Sequence, residues 1–336
     1  MRGPAKLKSE SFVNQPAILS APGSHPLQQL AIVVPCYNEE EVLPETTSRL
    51  NALLDELIES GITREASVYF IDDGSTDRTW ALIEGMAALD QRFHGIKLSR
   101  NYGHQSALLA GLFHAPGDAV ISIDADLQDD LSAIKDMLAA YAGGAEIVYG
   151  IRRERSSDTL FKRGTAEGYY RLLQTMGVRL VFNHADYRLL SRRVIDALRG
   201  YKETNLFLRG LIPQLGFNSA TVYYNRHERF AGESKYPFSK MLGLAIEGIT
   251  SFSEIPLKLI TVLGILISLV SFGLALWALG VKIFNPSAVP GWASIVIPLY
   301  FLGGIQLLCM GVIGQYLAKV YSETKGRPRF IIEKTL

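Results

Sequence analysis

Short apolar runs alternate with longer amphipathic stretches along the first half of the chain. Four apolar runs have the length of buried strands, and they are Leu30–Pro35, Ser67–Ile71, Ile96–Leu98 and Ala119–Ile123. The stretches that repeat apolar positions at helical spacing are 41–60, 77–89 and 105–114. This alternation predicts an α/β fold, with a doubly wound, mostly parallel sheet that carries helices on both faces.

Two stretches near the C-terminal end contain no charged residue. Leu259–Val281 and Trp292–Leu317 are each long enough to cross a bilayer core as a helix, and a turn rich in Pro and Gly separates them. They predict a two-helix transmembrane hairpin with Trp277 and Trp292 at its ends, and buried core helices are the alternative. Lys and Arg flank the hairpin on both outer sides, whereas its loop has Lys282 alone. Both flanks are therefore expected in the cytoplasm.

These patterns divide the chain into six predicted parts. The parts are a flexible tail over 1–28, an α/β domain over 29–235, interfacial amphipathic helices over 236–258, transmembrane helices over 259–281 and 292–317, and a cytoplasmic tail over 318–336. The first part has no apolar stretch of the length that a signal peptide needs. For the third part, an ordinary amphipathic core helix is the alternative to a helix at the membrane surface.

Composition excludes several classes of function. The 336 residues include 34 basic and 33 acidic side chains, so a net charge of +1 gives no global basic field for nucleic acid. Cys36 and Cys309 are the two cysteines of the sequence, too few for a disulfide scaffold or a four-thiolate zinc site. The sequence also lacks the Gly-rich fingerprints of a dinucleotide site and of a P-loop.

Acidic residues follow the second predicted strand, at the edge where ligands bind in doubly wound sheets. Asp72 and Asp73 are candidates for hydrogen bonds from a nucleotide, and a simple Asp-Gly turn is the alternative. Asp77 is expected to cap the next helix. His104 is a candidate substrate contact near the same edge.

A second acidic pair follows the fourth predicted strand. Asp124 and Asp126 would point the same way in extended backbone, which makes a hard-oxygen site for Mg²⁺ or Mn²⁺ to which Gln128 can add a carbonyl oxygen. Turn residues are the alternative, and Asp129 or Asp130 is expected to cap the following helix. Without a Gly-rich loop, a divalent cation must neutralise a bound diphosphate. This favours a nucleotide-sugar enzyme over a dehydrogenase or an ATPase.

Four motifs occur together in a specific order. They are Pro35-x-Tyr37-Asn38-Glu39, Asp72-Asp73-Gly74-Ser75, Asp124-x-Asp126-Leu127-Gln128 and Arg229-x-x-Gly232-x-Ser234-Lys235. With the two predicted spans, they resemble the inverting GT-A polyprenyl-phosphate glycosyltransferases, the relatives of dolichol-phosphate mannose synthase. The wider sequence is similar to the bactoprenol glucosyltransferases of O-antigen glucosylation, over roughly residues 30–333. Asn205–Phe207 and Arg327–Arg329 belong to that wider similarity.

The resemblance implies a GT-A catalytic domain, a UDP-sugar donor with UDP-glucose as the first expectation, and undecaprenyl phosphate as acceptor. The residues it implies for the nucleotide sugar are Pro35, Tyr37, Glu39, Asp72, Asp73 and Asp124. Those it implies for the metal and diphosphate are Asp124, Asp126 and Gln128, and those for the acceptor phosphate are Arg229, Ser234 and Lys235. Asp186 matches a position proposed as catalytic in the family, and a catalytic role is expected for Asp126 as well. Where relatives often have Gly, this chain has His184 or Ala185.

The acceptor of this reaction would be a phosphate oxygen that is already ionised near neutral pH. A strong general base is therefore less necessary, and Asp186 is expected either to orient a substrate or to act as a base. The resemblance also implies a homo-oligomer, with a tetramer as the suggested form, in the inner membrane with a cytoplasmic catalytic domain and cytoplasmic termini.

Three alternatives stay open at this stage. The same reaction could use an N-acetylhexosamine, mannose or modified arabinose, because selectivity rests on pocket shape. A processive polysaccharide synthase is disfavoured by the absence of Gln-x-x-Arg-Trp from the sequence. A non-catalytic, membrane-anchored nucleotide-sugar sensor or scaffold is disfavoured by the intact acidic motifs.

Overall fold

A computed structural model describes residues 27–153, 184–203, 208–225 and 292–336, together with isolated helical positions between 257 and 276. Its described part is built on one eight-stranded sheet. The strands are β1 Leu27–Cys36, β2 Thr63–Asp72, β3 Phe93–Leu98, β4 Ala119–Ser122, β5 Ile147–Arg152, β6 His184–Ser191, β7 Ser219–Tyr224 and β8 Ile332–Thr335. The helices are α1 Leu43–Glu59, α2 Thr79–Leu89, α3 His104–His114, α4 Ala133–Ala142, α5 Arg192–Arg199, the single turn α6 Leu208–Leu211 and α7 Trp292–Thr324, and a 3₁₀ turn Ile212–Leu215 follows α6.

The sheet has the order β7-β5-β6-β4-β1-β2-β3-β8. Its centre, β4-β1-β2-β3, is parallel, as the alternation predicted. Strand β6 runs antiparallel between β4 and β5, and β8 runs antiparallel along β3. The doubly wound, mostly parallel α/β fold class is therefore confirmed. All four predicted strands are present, although β1 begins at Leu27, inside the stretch that the sequence assigned to the N-terminal tail.

Both faces of the sheet are covered by helices because the central strands are apolar on both sides. In β1, Leu30 and Ile32 pack into one core cluster together with helices α1 and α4, whereas Ala31 and Val33 pack into the other with α3. Helix α3 approaches the sheet closely at Gly111. A Cβ at that position would lie 2.2 Å from Cγ1 of Val33, so a side chain there would push the helix off the sheet.

The C-terminal residues join the sheet, although the sequence predicted a tail over 318–336. Helix α7 begins at Trp292, where the second span was predicted to begin, and continues to Thr324. Residues Ile332–Thr335 then form β8 at the edge beside β3. This strand has four residues, two of them charged, so no apolar run signals it in the sequence.

Among the residues described, no helix is both long and apolar enough to cross a membrane. Much of the predicted span over 259–281, and several side chains in the first half of α7, lie outside the described residues. The predicted interfacial helices over 236–258 lie almost wholly outside them, as do Arg229, Ser234 and Lys235.

Candidate active site

The carboxyl ends of β1, β2 and β4 meet at one edge of the sheet, where the sequence places its acidic motifs. The backbone N–H of Asp73, just after β2, donates to the carbonyl of Cys36 at the end of β1 (2.9 Å). The N–H of Ile123, just after β4, donates to the carbonyl of Val33 (3.1 Å). The loops that follow these strands therefore start side by side.

Asp73 is buried, and it holds the loop that follows β3. Its carboxylate accepts the backbone N–H groups of Tyr102 (2.7 Å) and Gly103 (2.9 Å). Burial raises the pKa of Asp73, and these two hydrogen bonds oppose the rise. The loops meet at Gly74, which has a φ of +68°, and a Cβ there would lie 2.4 Å from the carbonyl carbon of Arg100. Asp73 thus orders the edge of the site through backbone contacts.

Asp72 is the last residue of β2 and is fully buried. Its Oδ1 accepts the N–H of Ser75 (3.1 Å), while its Oδ2 has no hydrogen-bond partner among the described residues. Burial raises the pKa of Asp72. This unpartnered carboxylate oxygen can accept a further hydrogen bond at the edge of the site.

The first predicted motif lies at the end of β1 and in the loop that follows it, at the same edge of the sheet. Pro35 lies within β1, and Tyr37 follows the strand with 46% of its surface exposed. Asn38 adopts a φ of +55°, and the N–H of Glu39 donates to Oγ1 of Thr79 (2.8 Å). This hydrogen bond ties the loop to the start of α2, and the Tyr37 ring remains accessible for stacking.

The second acidic pair lies in a turn, which corrects the extended geometry predicted for it. Strand β4 ends at Ser122, and Asp124 and Asp126 come after that end. Leu127 has a φ of +57°, a conformation that non-Gly residues rarely adopt. This turn lets the N–H of Gln128 donate to Oδ1 of Asp126 (3.2 Å). The loop therefore folds back on itself instead of continuing the strand.

Asp124 lies in a buried environment with several acidic neighbours. Burial raises its pKa to about 6, and Asp129, Asp186 and Asp126 add to the rise while His104 opposes it. A carboxylate crowded by like charges is a suitable ligand for a cation. The described residues nevertheless contain no group of three or more His, Cys, Asp or Glu side chains that could hold a metal ion. Asp124 and Asp126 could therefore supply only part of a coordination shell.

Asp186 is the most heavily contacted carboxylate of the site. It lies in β6, next to β4, and the hydroxyl of Ser122 donates to its backbone carbonyl (2.5 Å). A guanidinium nitrogen of Arg188 bonds its Oδ1, and Nη2 of Arg209 lies 2.9 Å from its Oδ2. Burial alone would raise the pKa of Asp186, but the hydrogen bond from His104 and the charges of both arginines hold it well below its usual value. Asp186 is therefore ionised and strongly partnered.

His104 joins the two acidic parts of the site. It begins α3, and its Nε2 lies 3.5 Å from Oδ2 of Asp186 and 3.7 Å from Oδ1 of Asp124. Burial lowers the pKa of His104, but the two carboxylates outweigh that effect and raise it. The structure thus brings together Asp124 and Asp186, which lie far apart in the sequence.

Three further residues of the site had no predicted role. Arg188 is fully buried, and its Nε and Nη1 have no hydrogen-bond partner among the described residues. Gln105 donates to Asp186 (3.4 Å) and accepts the N–H of Leu208 (3.2 Å), which links α3 to α6. Arg209 follows in α6. The stretch over Asn205–Phe207 pointed to this region, but not to the arginine after it.

The sequence predicted Asp129 or Asp130 as the cap of the following helix, and Asp129 does not cap it. Helix α4 begins at Ala133, and Asp130 instead accepts from the N–H of Ser132 (2.9 Å) in the preceding turn. The Asp129 side chain turns inward, where its Oδ1 accepts from the hydroxyl of Tyr224 (2.5 Å) and from Arg152 (3.3 Å). An arginine and a tyrosine compensate for the buried charge. Asp77, by contrast, accepts the N–H of Thr79 at the start of α2 (3.0 Å), close to the capping role predicted for it.

The carboxylate cluster lies at the carboxyl edge of a doubly wound sheet, which is where such folds bind their ligands. The profile of Glycosyl transferase family 2 matches residues 31–199. The chain belongs to this family and is a glycosyltransferase.

Relatives match nearly the whole chain. The protein named "Uncharacterized glycosyltransferase YkoT" of Bacillus subtilis is 50% identical over 307 residues, which cover 90% of this chain and 91% of that protein. The prophage bactoprenol glucosyl transferase homolog of Escherichia coli is 38% identical, with 91% of this chain and 99% of that protein covered. The SfII prophage-derived bactoprenol glucosyl transferase of Shigella flexneri is also 38% identical, with 91% and 98% covered.

Among solved structures, glucosyl-3-phosphoglycerate synthase from Mycobacterium tuberculosis is similar with a TM-score of 0.44 and 19% identity. The likeness covers 66% of this chain and 76% of that one.

Proposed function

We propose that this protein is a membrane-anchored inverting glycosyltransferase that moves a hexose, glucose in the first place, from a UDP-sugar to undecaprenyl phosphate. The product would be a β-linked polyprenyl-phosphate sugar for the modification of a cell-surface glycan such as O-antigen. The observation that carries the proposal is the 38% identity to bactoprenol glucosyl transferases over 91% of this chain. The cluster around Asp186 supplies the geometry in which the transfer would occur.

The donor side of the site would lie along the carboxyl edge of the sheet. Tyr37 offers an exposed ring for the uracil base, and the buried, unpartnered Oδ2 of Asp72 offers an acceptor to a polar group of the nucleoside. Asp73 would act indirectly, by ordering Tyr102 and Gly103. Pro35 and Glu39 would complete this wall.

The residues at Asp124 fit a divalent cation, Mg²⁺ or Mn²⁺. Burial and three neighbouring carboxylates raise the pKa of Asp124, and a bound cation would offset both effects. Asp124, Asp126 and Gln128 would hold the ion, and diphosphate oxygens would fill its open positions. When bound, such an ion would stabilise the charge that develops on the leaving diphosphate.

Asp186 would position charges and would not remove a proton. An attacking phosphate oxygen is already ionised near neutral pH. Both carboxylate oxygens of Asp186 are also occupied by donors from Arg188, Arg209 and Gln105. A carboxylate held in this way has a low affinity for a proton, so it is a poor general base.

Membrane anchoring supports access to a lipid acceptor. The uncharged stretches over 259–281 and 292–317 would form the anchor, and Arg229, Ser234 and Lys235 would bind the acceptor phosphate. The excess of Lys and Arg outside the hairpin supports a cytoplasmic catalytic domain and cytoplasmic termini at the inner membrane. A homo-oligomer, with the tetramer as its suggested form, completes the proposal.

The decisive experiment follows a radiolabelled sugar into lipid. The full chain in detergent is mixed with labelled UDP-glucose, undecaprenyl phosphate and Mg²⁺ or Mn²⁺, and the organic phase is counted. EDTA and Asp126→Asn should each abolish transfer, whereas Asp136→Asn, an exposed carboxylate on α4, should leave it unchanged. Transfer from a different UDP-sugar would correct the sugar alone. No transfer across a donor panel, from folded protein, would overturn the proposal and favour a nucleotide-sugar sensor or scaffold.

A further inference from the structure

Arg209 and Asp186 form a paired contact at the edge of the site. Nε of Arg209 lies 3.3 Å from Oδ1 of Asp186, and its Nη2 lies 2.9 Å from Oδ2. Two parallel hydrogen bonds fix the plane of a guanidinium group as well as its position. The turn α6, which carries Arg209, is itself held by the bond from the N–H of Leu208 to Gln105. Arg209 is therefore oriented from its backbone and from its tip.

Two guanidinium groups contact the single carboxylate of Asp186. Arg188 already bonds Oδ1 of Asp186, and both of these side chains are buried. Arg209 is a second guanidinium on the same carboxylate, and 42% of its side chain is exposed. A purely structural partner for Asp186 would not need a second arginine at the surface. Of the two arginines, Arg209 is therefore the one that is partly exposed.

The position of this charge relates it to the transfer site. His104 contacts both Asp186 and Asp124, and Arg209 contacts Asp186, so Arg209 belongs to the same cluster as the carboxylate expected to hold the diphosphate and metal. An oriented, partly exposed guanidinium in that cluster suits a phosphate group, which accepts two parallel hydrogen bonds.

We propose that Arg209 binds a phosphoryl group of a substrate, and that Asp186 is the positioning residue that orients it. The inference rests on the proposed function, because it assigns Arg209 to the phosphates of that reaction. The phosphoryl group belongs either to the nucleotide donor or to the lipid acceptor. These two sources share the same chemistry and are separated by the experiment.

The test measures binding and turnover separately. Full-length protein in detergent is titrated with UDP and with a short-chain polyprenyl phosphate, and the KM values for UDP-glucose and undecaprenyl phosphate are measured in the transfer assay. Arg209→Gln should raise the Kd and KM for one of the two ligands by about tenfold to a hundredfold, the usual range for a lost charged hydrogen bond. The affected ligand identifies the source. Arg209→Lys should lose less, since it keeps the charge without the paired geometry.

Asp186→Asn provides the positioning test. It should weaken binding of the same ligand, and the double variant Asp186→Asn/Arg209→Gln should be no worse than Arg209→Gln alone. Arg193→Gln, which removes an exposed arginine paired with Glu146 at the opposite end of β5, is the matched control and should bind both ligands normally.

Two results would overturn the inference. One is an Arg209→Gln variant that is folded and binds both ligands with the wild-type Kd, whether its unfolding temperature is unchanged or lowered. The other is Asp186→Asn that binds normally but has lost kcat, since Asp186 would then act in the chemical step. The binding titrations do not depend on transfer. If the wild-type protein transfers no sugar, the proposed function is refuted, but the binding titrations still test the role of Arg209.

Discussion

Asp73 lies just after β2, and its carboxylate accepts the backbone N–H of Gly103 (2.9 Å), which precedes helix α3. With the bond from Tyr102, this contact fixes the loop between β3 and α3. Asp73→Asn should therefore disturb the edge of the site without removing any predicted phosphate or metal ligand. The amide can accept one of the two N–H groups but not both.

For Asp73→Asn we expect a loss of about 1–3 kcal/mol in the free energy of unfolding, the usual cost of leaving a buried donor unsatisfied. The Kd for UDP should rise with it. Thermal unfolding and UDP titration measure the two effects, with Asp136→Asn as the exposed control. An unchanged unfolding temperature would show that the loop does not depend on this carboxylate.

Asp124 should make stability depend on pH. Its pKa is about 6 in the folded chain against an ordinary value of 3.8, so folding takes up a proton between these two values. Protonated Asp124 therefore contributes to the stability of the folded chain. This contribution is complete below about pH 4 and is lost as the pH rises through about 6. At pH 7 the ionised side chain therefore destabilises the metal-free protein.

Asp124→Asn should consequently be more stable than wild type at pH 7 without metal, by about 1–2 kcal/mol once the partial exposure of the side chain is allowed for. The difference should vanish near pH 4. Adding Mn²⁺ should stabilise wild type but not the variant. Unfolding curves at both pH values, with and without EDTA, measure this. A variant less stable than wild type at pH 7 would contradict the sign.

Tyr224 should be needed for the buried charge of Asp129. Burial raises the pKa of Tyr224, and the negative charge of Asp129 adds to the rise, so the phenol stays protonated and donates. Tyr224→Phe removes that donor and should lower the free energy of unfolding by about 1–3 kcal/mol. Tyr223→Phe, which changes the exposed neighbouring tyrosine, is the matched control and should change little. Equal effects of the two substitutions would refute the role of the hydrogen bond.

Strand β8 should protect the loop that Asp73 holds. The N–H of Ser99, which follows β3, donates to the carbonyl of Ile331 (2.9 Å), and the N–H of Leu336 donates to Gly95 (2.8 Å). A chain that ends at Phe330 should show faster amide hydrogen exchange over 93–102 and a higher Kd for UDP. Glu333→Gln removes just the exposed ion pair to Lys97 and should leave exchange in that stretch unchanged. Equal exchange in the truncated and complete chains would sink the prediction.

The sequence predicted the central strands because burial on both faces of a sheet produces a recognisable pattern in the sequence. Runs such as Leu30–Pro35 are apolar at successive positions, and this pattern identifies a central parallel strand. Edge strands carry no such mark. Strand β8 has the sequence Ile-Glu-Lys-Thr, which has neither an apolar run nor an alternation of apolar and polar residues. Its place beside β3 therefore depends on backbone pairing that no local pattern encodes.

Residue type and position named Asp124 as a candidate site residue, and the family resemblance named Asp186. The structure brings these two carboxylates to one cluster through His104, although their roles stay predictions. The contact of Arg209 with Asp186 was not foreseen, because it depends on the tertiary placement of α6, which Leu208 ties to Gln105 of α3. Asp129 was one of two residues predicted as a helix cap, and its inward turn was not foreseen because its partner Tyr224 is distant in the sequence.

The position of β8 also constrains how the protein is made. A ribosome synthesises this chain from the N-terminal end, so β3 waits without its outer neighbour until residues 332–335 emerge, after all the residues of α7. The loop beside β3 carries the backbone groups that Asp73 accepts. The side of β3 that faces β8 therefore stays unpaired until that segment is synthesised, later in translation than the strands at the centre of the sheet.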